Sequence, residues 1–474
     1  MKHSIVGDTP KAVRAGVPWL GNESPMRILL CGERYAPSVG GVQEVLKQLA
    51  ERFVRRGHDV TMATSKLGNR YFSELNGVKI KEFEVAGNQV RGMVGEVEEY
   101  RRFVVEGSYD VIMIKAAQQW TFDALWPVLS DIKAGKVFIP CGFSRLYEPE
   151  FAKYFQELPC VLRQFEHLIF YATDYRDIEF AKRHGCTNFS VIPNGASELE
   201  FGCEPDSSFR ARHGIGSDEW LFLSVGSLCE EKGHLDTLKA FMAADLKGLP
   251  ATLLLNCREW EEERRPRSAQ SERRGWSQWK ELLRQLYGQK GLLRMGLSIL
   301  RRLLNKIGLD VKTDNHNHSD YRGEMMKAAD LIRRQGARKR VLITDLDRSE
   351  VVQAFLNADL YVCASHIEYS PLVLFEAAAA GTPFLSVPVG NAEEIARWTG
   401  AGVMCPAPQD QRGYTVPDPA CLAEYMADLV KDRDRLKQMG AIGRTRWGEH
   451  FTWDCIAQRY ERILIAASQE LCKV

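Results

Sequence analysis

Two glutamates with seven residues between them, Glu368 and Glu376, stand in the run HIEYSPLVLFEAAAAGTP. Residues 372–380 are apolar and alanine-rich, a helix by propensity, and Glu376 falls in its second turn. A carboxylate in so apolar a helix is costly to bury without partners, and ribose hydroxyls would satisfy it. The polar loop ahead of this helix feeds an N-terminus with free backbone N–H groups and the positive dipole end, a setting for a diphosphate or for sugar hydroxyls. The plain alternative is a glutamate that answers the dipole of its own helix. A second cluster joins Gly226-Ser227-Leu228 to Lys232-Gly233-His234. Glycines let the backbone approach a phosphate, and a lysine brings a mobile point charge. Alone, such a spacing is more often a solvated turn. It is not the phosphate loop of ATPases, whose order of Gly, Lys and Ser/Thr differs.

These residues sit where strands hand over to helices. Residues 26–31 form a short apolar run, the length of a strand buried on both faces. A loop with Pro37, Gly40 and Gly41 follows, then a helical apolar spacing over 42–55 that stops at Gly57. Further strands are expected at 59–64, 111–114, 136–139, 168–171 and 190–192. The same grammar restarts after about residue 201, with strands at 220–225, 251–256, 340–344, 360–363 and 384–387 and a helix from about 234 to 244. Strand–helix alternation at this spacing implies parallel, doubly wound sheets, whose ligands bind outside the carboxyl ends of the strands.

The chain of 474 residues, 45% hydrophobic and 26% charged, is too long for one core and suits two domains. Residues 1–25 read as a loose tail, 26–200 as a first, acceptor-binding domain, 201–450 as a second domain for the nucleotide-bearing donor, and 451–474 as a C-terminal helix packing back on the first. The net charge of +1 gives no general reason to expect nucleic acid as a partner. Twelve cysteines are scattered without a C-x-x-C pair, which suits a reducing compartment better than a disulfide framework. No run of about 18 apolar residues occurs, and the tail lacks the apolar core of a secretory signal. The expected setting is cytoplasmic.

The landmarks Gly40-Gly41, Arg56-Gly57-His58, Ile192-Pro193-Asn194-Gly195, Gly226 with Lys232-Gly233, Glu368 with Glu376 ahead of Gly381-Thr382-Pro383, and Phe451-Thr452-Trp453 follow one another in an order that resembles glycosyltransferase family 4. The resemblance implies a GT-B fold, two Rossmann-like domains facing a central cleft, and a mostly retaining transfer from a nucleotide-diphospho-sugar to a saccharide, lipid-linked or small-molecule acceptor. It implies that Glu368 touches hydroxyls of the transferred sugar, and that Ser370, Pro371, Leu372 and Val373 hold sugar and phosphate. Glu376 would hold the ribose, Lys232 would neutralise the diphosphate, and Gly40 and Gly41 would add amides from the first domain. Two positions depart from the family pattern. Ser227 stands where an arginine is frequent, with Arg258 as a candidate replacement, and Lys115 stands where many members carry a histidine facing the sugar. Lys115 is therefore a candidate donor to the sugar or its phosphate, against the plain reading of a strand-end lysine in solvent.

No metal is expected. His316 and His318 lack a cysteine pair or an H-E-x-x-H context, and no G-x-S-x-G elbow is present. Residues 258–338 break the Rossmann rhythm. From 267 to 340 eighteen Lys/Arg stand against seven Asp/Glu. Trp276, Trp279, Leu283 and Leu286 share one helical face, and Leu293, Leu297, Leu300, Leu304 and Ile307 another, flanked by Arg294, Arg301, Arg302 and Lys306. That pattern reads either as a peripheral contact with a membrane or polyanion or as a helical hairpin on the domain's flank, the latter favoured. Two other functions fit the same fold: a sugar-nucleotide epimerase, and a catalytically silent scaffold that binds polyanions through the insert.

Overall fold

The computed structural model describes residues 24–258, 318–334 and 338–470. The tail and the tryptophan and leucine faces of the basic insert lie outside them, as does His316.

The first sheet has eight strands in the spatial order Phe189–Val191, His167–Phe170, Gly135–Ile139, Val111–Lys115, Arg27–Cys31, Asp59–Ser65, Val78–Phe83 and Glu74–Leu75. All its pairings are parallel except the last. The chain starts at Arg27–Cys31, winds outward through Asp59–Ser65, then crosses back to Val111–Lys115. The sheet's order therefore reverses between Arg27–Cys31 and Val111–Lys115. The second sheet is wholly parallel, in the order Lys339–Thr344, Ala251–Arg258, Trp220–Ser227, Leu360–Cys363, Phe384–Ser386 and Gly402–Met404. Its reversal falls between Trp220–Ser227 and Leu360–Cys363. Reversal points leave a crevice at the carboxyl ends of the two flanking strands, because their following helices depart to opposite faces.

The central strands are apolar runs because both faces are covered. On one face of the first sheet lie Val45, Leu49 and Phe53 of the helix Gly41–Arg55, together with Ile456, Tyr460 and Leu464 of the helix Trp453–Glu470. On the other lie Tyr100, Tyr154, Leu158 and Ile178 from three further helices. The last helix thus completes the first core. It is pinned there by polar contacts as well: His58 Nε2 lies 2.8 Å from one oxygen of buried Glu461, and Arg56 Nη1 lies 3.3 Å from the other. The Arg56-Gly57-His58 landmark is accounted for by this attachment.

The expected strands occur, with bounds shifted by a residue or a few. Sequence reading passed over Val78–Phe83, a strand next to the sheet's edge that carries Lys79, Lys81 and Glu82, the hairpin Val85–Asn88 with Gly92–Gly95, and the short strand Gly402–Met404. The cysteines among the described residues are all free. No helix of the described residues is long and apolar enough to cross a membrane.

Leu464 is fully buried between the last helix and the first sheet. Leu464→Ala should lower the unfolding free energy by about 2–5 kcal/mol, the range for an aliphatic-to-Ala cavity in a core. Urea unfolding followed by circular dichroism checks this, and a loss well under 1 kcal/mol would mean that the helix is not part of that core.

Candidate active site

The strand Trp220–Ser227 ends in Gly226 and Ser227, and a single turn, Glu230–Lys232, leads to the helix His234–Ala243. Gly233 joins the two at φ +64°, and an ideal Cβ there would sit 1.8 Å from the carbonyl oxygen of Ala364. Only glycine fits so close an approach in the left-handed region. This contact presses the lysine turn against the loop leaving Leu360–Cys363, across the reversal of the second sheet. Lys232 Nζ consequently donates to Glu368 Oε1. Burial works to lower the lysine's pKa, but the Glu368 carboxylate outweighs it and the net shift is upward. Two of the residues expected in chemistry are therefore paired as a charged couple.

The helix Leu372–Ala380 follows, with Pro371 as its N-cap and no side-chain cap. Gly41 opens a first-domain helix opposite it; an ideal Cβ on Gly41 would lie 4.0 Å from Leu372 Cδ1. Two helix N-termini thus meet across the cleft beside the Lys232–Glu368 pair, and their first-turn amides have no intrahelical acceptors. The Ser370 hydroxyl is buried without a partner. Gly226 leaves little room: an added Cβ would lie 3.2 Å from Lys232 Cγ and from His234 Nε2. Ser227 pairs in register with Arg258, whose Nε donates to Asp345 at 3.1 Å. Arg258 thus lies beside the phosphate turn, its carbonyl accepting from the Leu228 N–H at 2.8 Å, with its guanidinium in an exposed pair with that carboxylate.

Glu376 is buried in its alanine-rich helix, as expected, but it already has a protein partner. Arg348 Nη2 donates to Glu376 Oε1 at 2.6 Å and to Glu200 Oε2 at 2.8 Å. Burial raises the Glu376 pKa, with Arg348 opposing the rise. Arg348 was not singled out from sequence, because it lies 28 residues away on another helix and belongs to no motif.

Lys115 requires a correction. It is not a strand-end lysine in solvent but a buried one. Its amine donates to the Tyr171 hydroxyl, sits 4.5 Å from that ring's centroid and lies 3.8 Å from Cys141 Sγ. Burial lowers its pKa.

Tyr171 leads to a residue that the motif reading passed over. Tyr369, beside Glu368, packs between the rings of Tyr171 and Tyr175, with centroids 5.2 and 4.8 Å away. Its hydroxyl accepts from the Tyr171 backbone N–H at 3.0 Å and meets Asp177. Burial pushes the Asp177 carboxyl up to about 6. Tyr175 donates to the Glu368 carbonyl at 2.9 Å, and Asn194 of the Ile192–Gly195 landmark donates to the Ser370 carbonyl at 3.1 Å. Gly142, at φ +89°, gives Tyr369 its space, since an ideal Cβ there would lie 2.9 Å from the ring. The loop carrying Glu368 is thus held from the first domain by three separate residues.

Beneath the lysine turn, His234 is fully buried, and its pKa falls to about 4 through burial and the neighbouring Lys232 charge. The unfolded chain takes up this proton near its ordinary value of about 6.5, so folding stability drops as pH falls from about 6.5 to 4. The full effect is about 3 kcal/mol. His234→Gln should flatten that acid limb in denaturant titrations across pH 4–7. An unchanged limb would assign the acid sensitivity to other groups.

Residues 327–446 match the family model described as "Glycosyl transferases group 1". Over 124 residues the chain is 31% identical to a glycogen synthase of Mycobacterium tuberculosis, a stretch that makes up 26% of this chain and 28% of that protein. Over 122 residues it is 31% identical to a D-inositol 3-phosphate glycosyltransferase of Thermobispora bispora, 26% of each chain. The matches thus span little more than a quarter of these relatives' length. In structure, a sucrose-phosphate synthase from Thermosynechococcus elongatus superposes with a TM-score of 0.61 at 20% identity, covering 93% of this chain and 100% of that one. The Anabaena protein HepE, solved in complex with UDP and glucose, gives 0.61 at 15% identity over 93% and 100%. The chain has the GT-B fold of glycosyltransferases, and its residues 327–446, which include Arg348, Glu368 and Glu376, are similar in sequence to the group 1 enzymes.

Proposed function

We propose that the protein is a retaining glycosyltransferase of the family 4 kind, moving a sugar from a nucleotide-diphospho-sugar to a saccharide, lipid-linked or small-molecule acceptor. One juxtaposition carries the reading: the Lys232–Glu368 pair at the reversal of the second sheet, beside the N-termini of the helices Leu372–Ala380 and Gly41–Arg55. A diphosphate laid there finds a cation and two sets of free amides. Glu376, paired with Arg348, is placed for the ribose hydroxyls. Glu368 exchanges the lysine for hydroxyls of the transferred sugar, and Ser370 to Val373 hold that sugar and its phosphate.

As the bond from the anomeric carbon to the diphosphate oxygen breaks, negative charge grows on the leaving oxygen. Lys232 and the helix amides stabilise that charge more than they stabilise the bound donor, which is what lowers the barrier. In this scheme no metal is needed for the leaving group. UDP-sugars are the first donors to test, because a protein of similar fold is solved with UDP-glucose. The free thiols suit a cytoplasmic setting.

In a thermal-shift series of UDP-, GDP- and ADP-sugars, one base should raise the melting temperature selectively. Glu376→Ala should weaken that donor by about 1–3 kcal/mol, the cost of a lost charge-assisted hydrogen bond. A folded variant with unchanged donor affinity would remove the donor assignment.

Lys232→Ala should lower kcat as well as raise KM, and turnover by the parent should survive EDTA. A pure KM effect would reduce Lys232 to a binding group. NMR of the first-formed product should show the donor's anomeric configuration retained, and an inverted product rejects retention. Release of free sugar and nucleotide with no dependence on an acceptor would favour the epimerase instead.

A further inference from the structure

Two of the scattered cysteines meet in space. Cys405 follows the strand Gly402–Met404, and its N–H donates to the Ser386 carbonyl at 2.8 Å, which continues the sheet pairing. Cys421 stands in the first turn of the helix Pro419–Leu429, whose N-cap Asp418 accepts from the Ala420 N–H. Leu422 and Met426 of that helix are fully buried in the second domain's core. Both cysteines are thus rooted in packed, regular structure. The Cys405 thiol donates to Cys421 Sγ at 3.3 Å. A disulfide holds its sulfurs about 2.05 Å apart, so an approach of about 1.3 Å, the scale of a side-chain adjustment, separates the two states.

The pair stands at the base of a loop that reaches the candidate site. Residues 406–420 leave the sheet and return through a turn closed by the Gln409–Thr415 bridge, with Asp410 accepting from the N–H groups of Arg412 and Tyr414 at 2.8 and 2.9 Å. The Thr415 N–H donates to the carbonyl of His366, just ahead of Glu368, at 2.8 Å, and its hydroxyl donates to the Pro388 carbonyl at 3.1 Å. At the tip, the Gly413 carbonyl accepts from Arg176 of the first domain at 3.3 Å. The loop therefore touches both the Glu368 segment and the first domain, and its two ends are the two thiols.

The thiols differ in what can reach them. Cys421 is half-buried, and Cys405 is fully buried. Burial pushes the Cys405 thiol up to about 12, and the neighbouring Cys421 sulfur adds to the rise. Cys405 is shielded from an oxidant, and Cys421 meets it first.

The geometry points to Cys405 and Cys421 as a redox-active dithiol, oxidised by a low-molecular-weight disulfide, whose cystine ties together the ends of the loop 406–420 and holds it on the Glu368 segment. Deprotonated Cys421 attacks one sulfur of the oxidant, the oxidant's S–S bond breaks, and one external thiol leaves. Cys405 then gives its proton to solvent and attacks Cys421 Sγ, which expels the second external thiol. Two protein thiols lose two electrons in total, and one external disulfide is reduced to two thiols. Capping Cys421 in the first step removes its share of the raised Cys405 pKa, which favours the second step. In a reducing compartment such a pair stays open until the oxidant rises, as redox-sensing thiols do. This chemistry does not depend on the transferase reading.

Equilibration of the full chain in glutathione buffers of rising disulfide fraction tests this. Samples are quenched in acid, their remaining thiols alkylated, and the chain cut with trypsin, which cleaves after Arg412 between the two cysteines. Oxidised chain of monomer mass should yield residues 398–412 linked to residues 413–431, and dithiothreitol should undo the link. Hydrogen exchange over residues 406–416 should slow at least about fivefold in the linked form, because the cross-link closes off local opening. Cys421→Ser should lose both the link and the slowing. Cys405→Ala, which leaves Cys421 reachable, should stop at the mixed disulfide with glutathione. The proposal is overturned if the parent stays fully reduced, or if it carries glutathione only as mixed disulfides on Cys421 or on the exposed Cys160 and Cys203. It is equally overturned if the linked chain exchanges as fast as the reduced one. UDP-glucose thermal shifts on the reduced parent report on the transferase reading separately.

Discussion

A carboxylate buried in an alanine-rich helix needs a cation to pair with it, and here an arginine at the protein surface, Arg348, reaches down to supply one. Arg348 reaches Glu376 from a neighbouring helix and takes Glu200 with the same guanidinium. Glu200 belongs to the short helix Glu198–Phe201, in the chain that joins the two sheets. Two residues earlier, Glu198 accepts from Arg52 of the first domain, a fully buried guanidinium whose Nε lies 3.0 Å from Asp454. Charges therefore run from the proposed ribose carboxylate through the connecting segment to the first domain and the final helix. A ligand that competes for Arg348 or Glu376 acts on the segment that sets how the two halves meet.

The opposite side of the cleft is tied by neutral contacts. Tyr369 lies between two first-domain tyrosines, and the backbone on either side of it is held by Tyr175 and Asn194. Any separation of the halves must break these bonds, which hold the loop that carries Glu368.

How much of this was legible beforehand follows from what each feature leaves in a sequence. The doubly wound architecture was readable because strands covered on both faces must be short apolar runs between turn signals. The strand Val78–Phe83, next to the sheet's edge, is buried only at its two end residues, and Lys79, Lys81 and Glu82 hid it. Among the candidate site residues, those in local motifs came together: Lys232 with Glu368, and Gly41 against Leu372. Those whose role depends on direction did not. Every residue of Val111–Lys115 is buried, so the alternation that tells one face from the other is absent, and nothing in the order of residues says that Lys115 turns under Tyr171. Arg348 and Tyr369 act across the tertiary fold on partners far away in sequence, which a single chain of letters does not record.

The last helix has a consequence for how the molecule is made. Trp453, Ile456, Ala457, Tyr460 and Leu464 belong to the same core as the strands that begin at Arg27. The first domain is thus assembled from both ends of the chain, with the whole second domain inserted between. As the chain emerges from a ribosome, N-terminal segment first, the sheet that is synthesised earliest must wait with one apolar face only partly covered. The second domain, whose sheet lies between Trp220 and Met404, has its parts in hand sooner. In order of completion the later domain precedes the earlier one, whose core closes only when the last helix arrives.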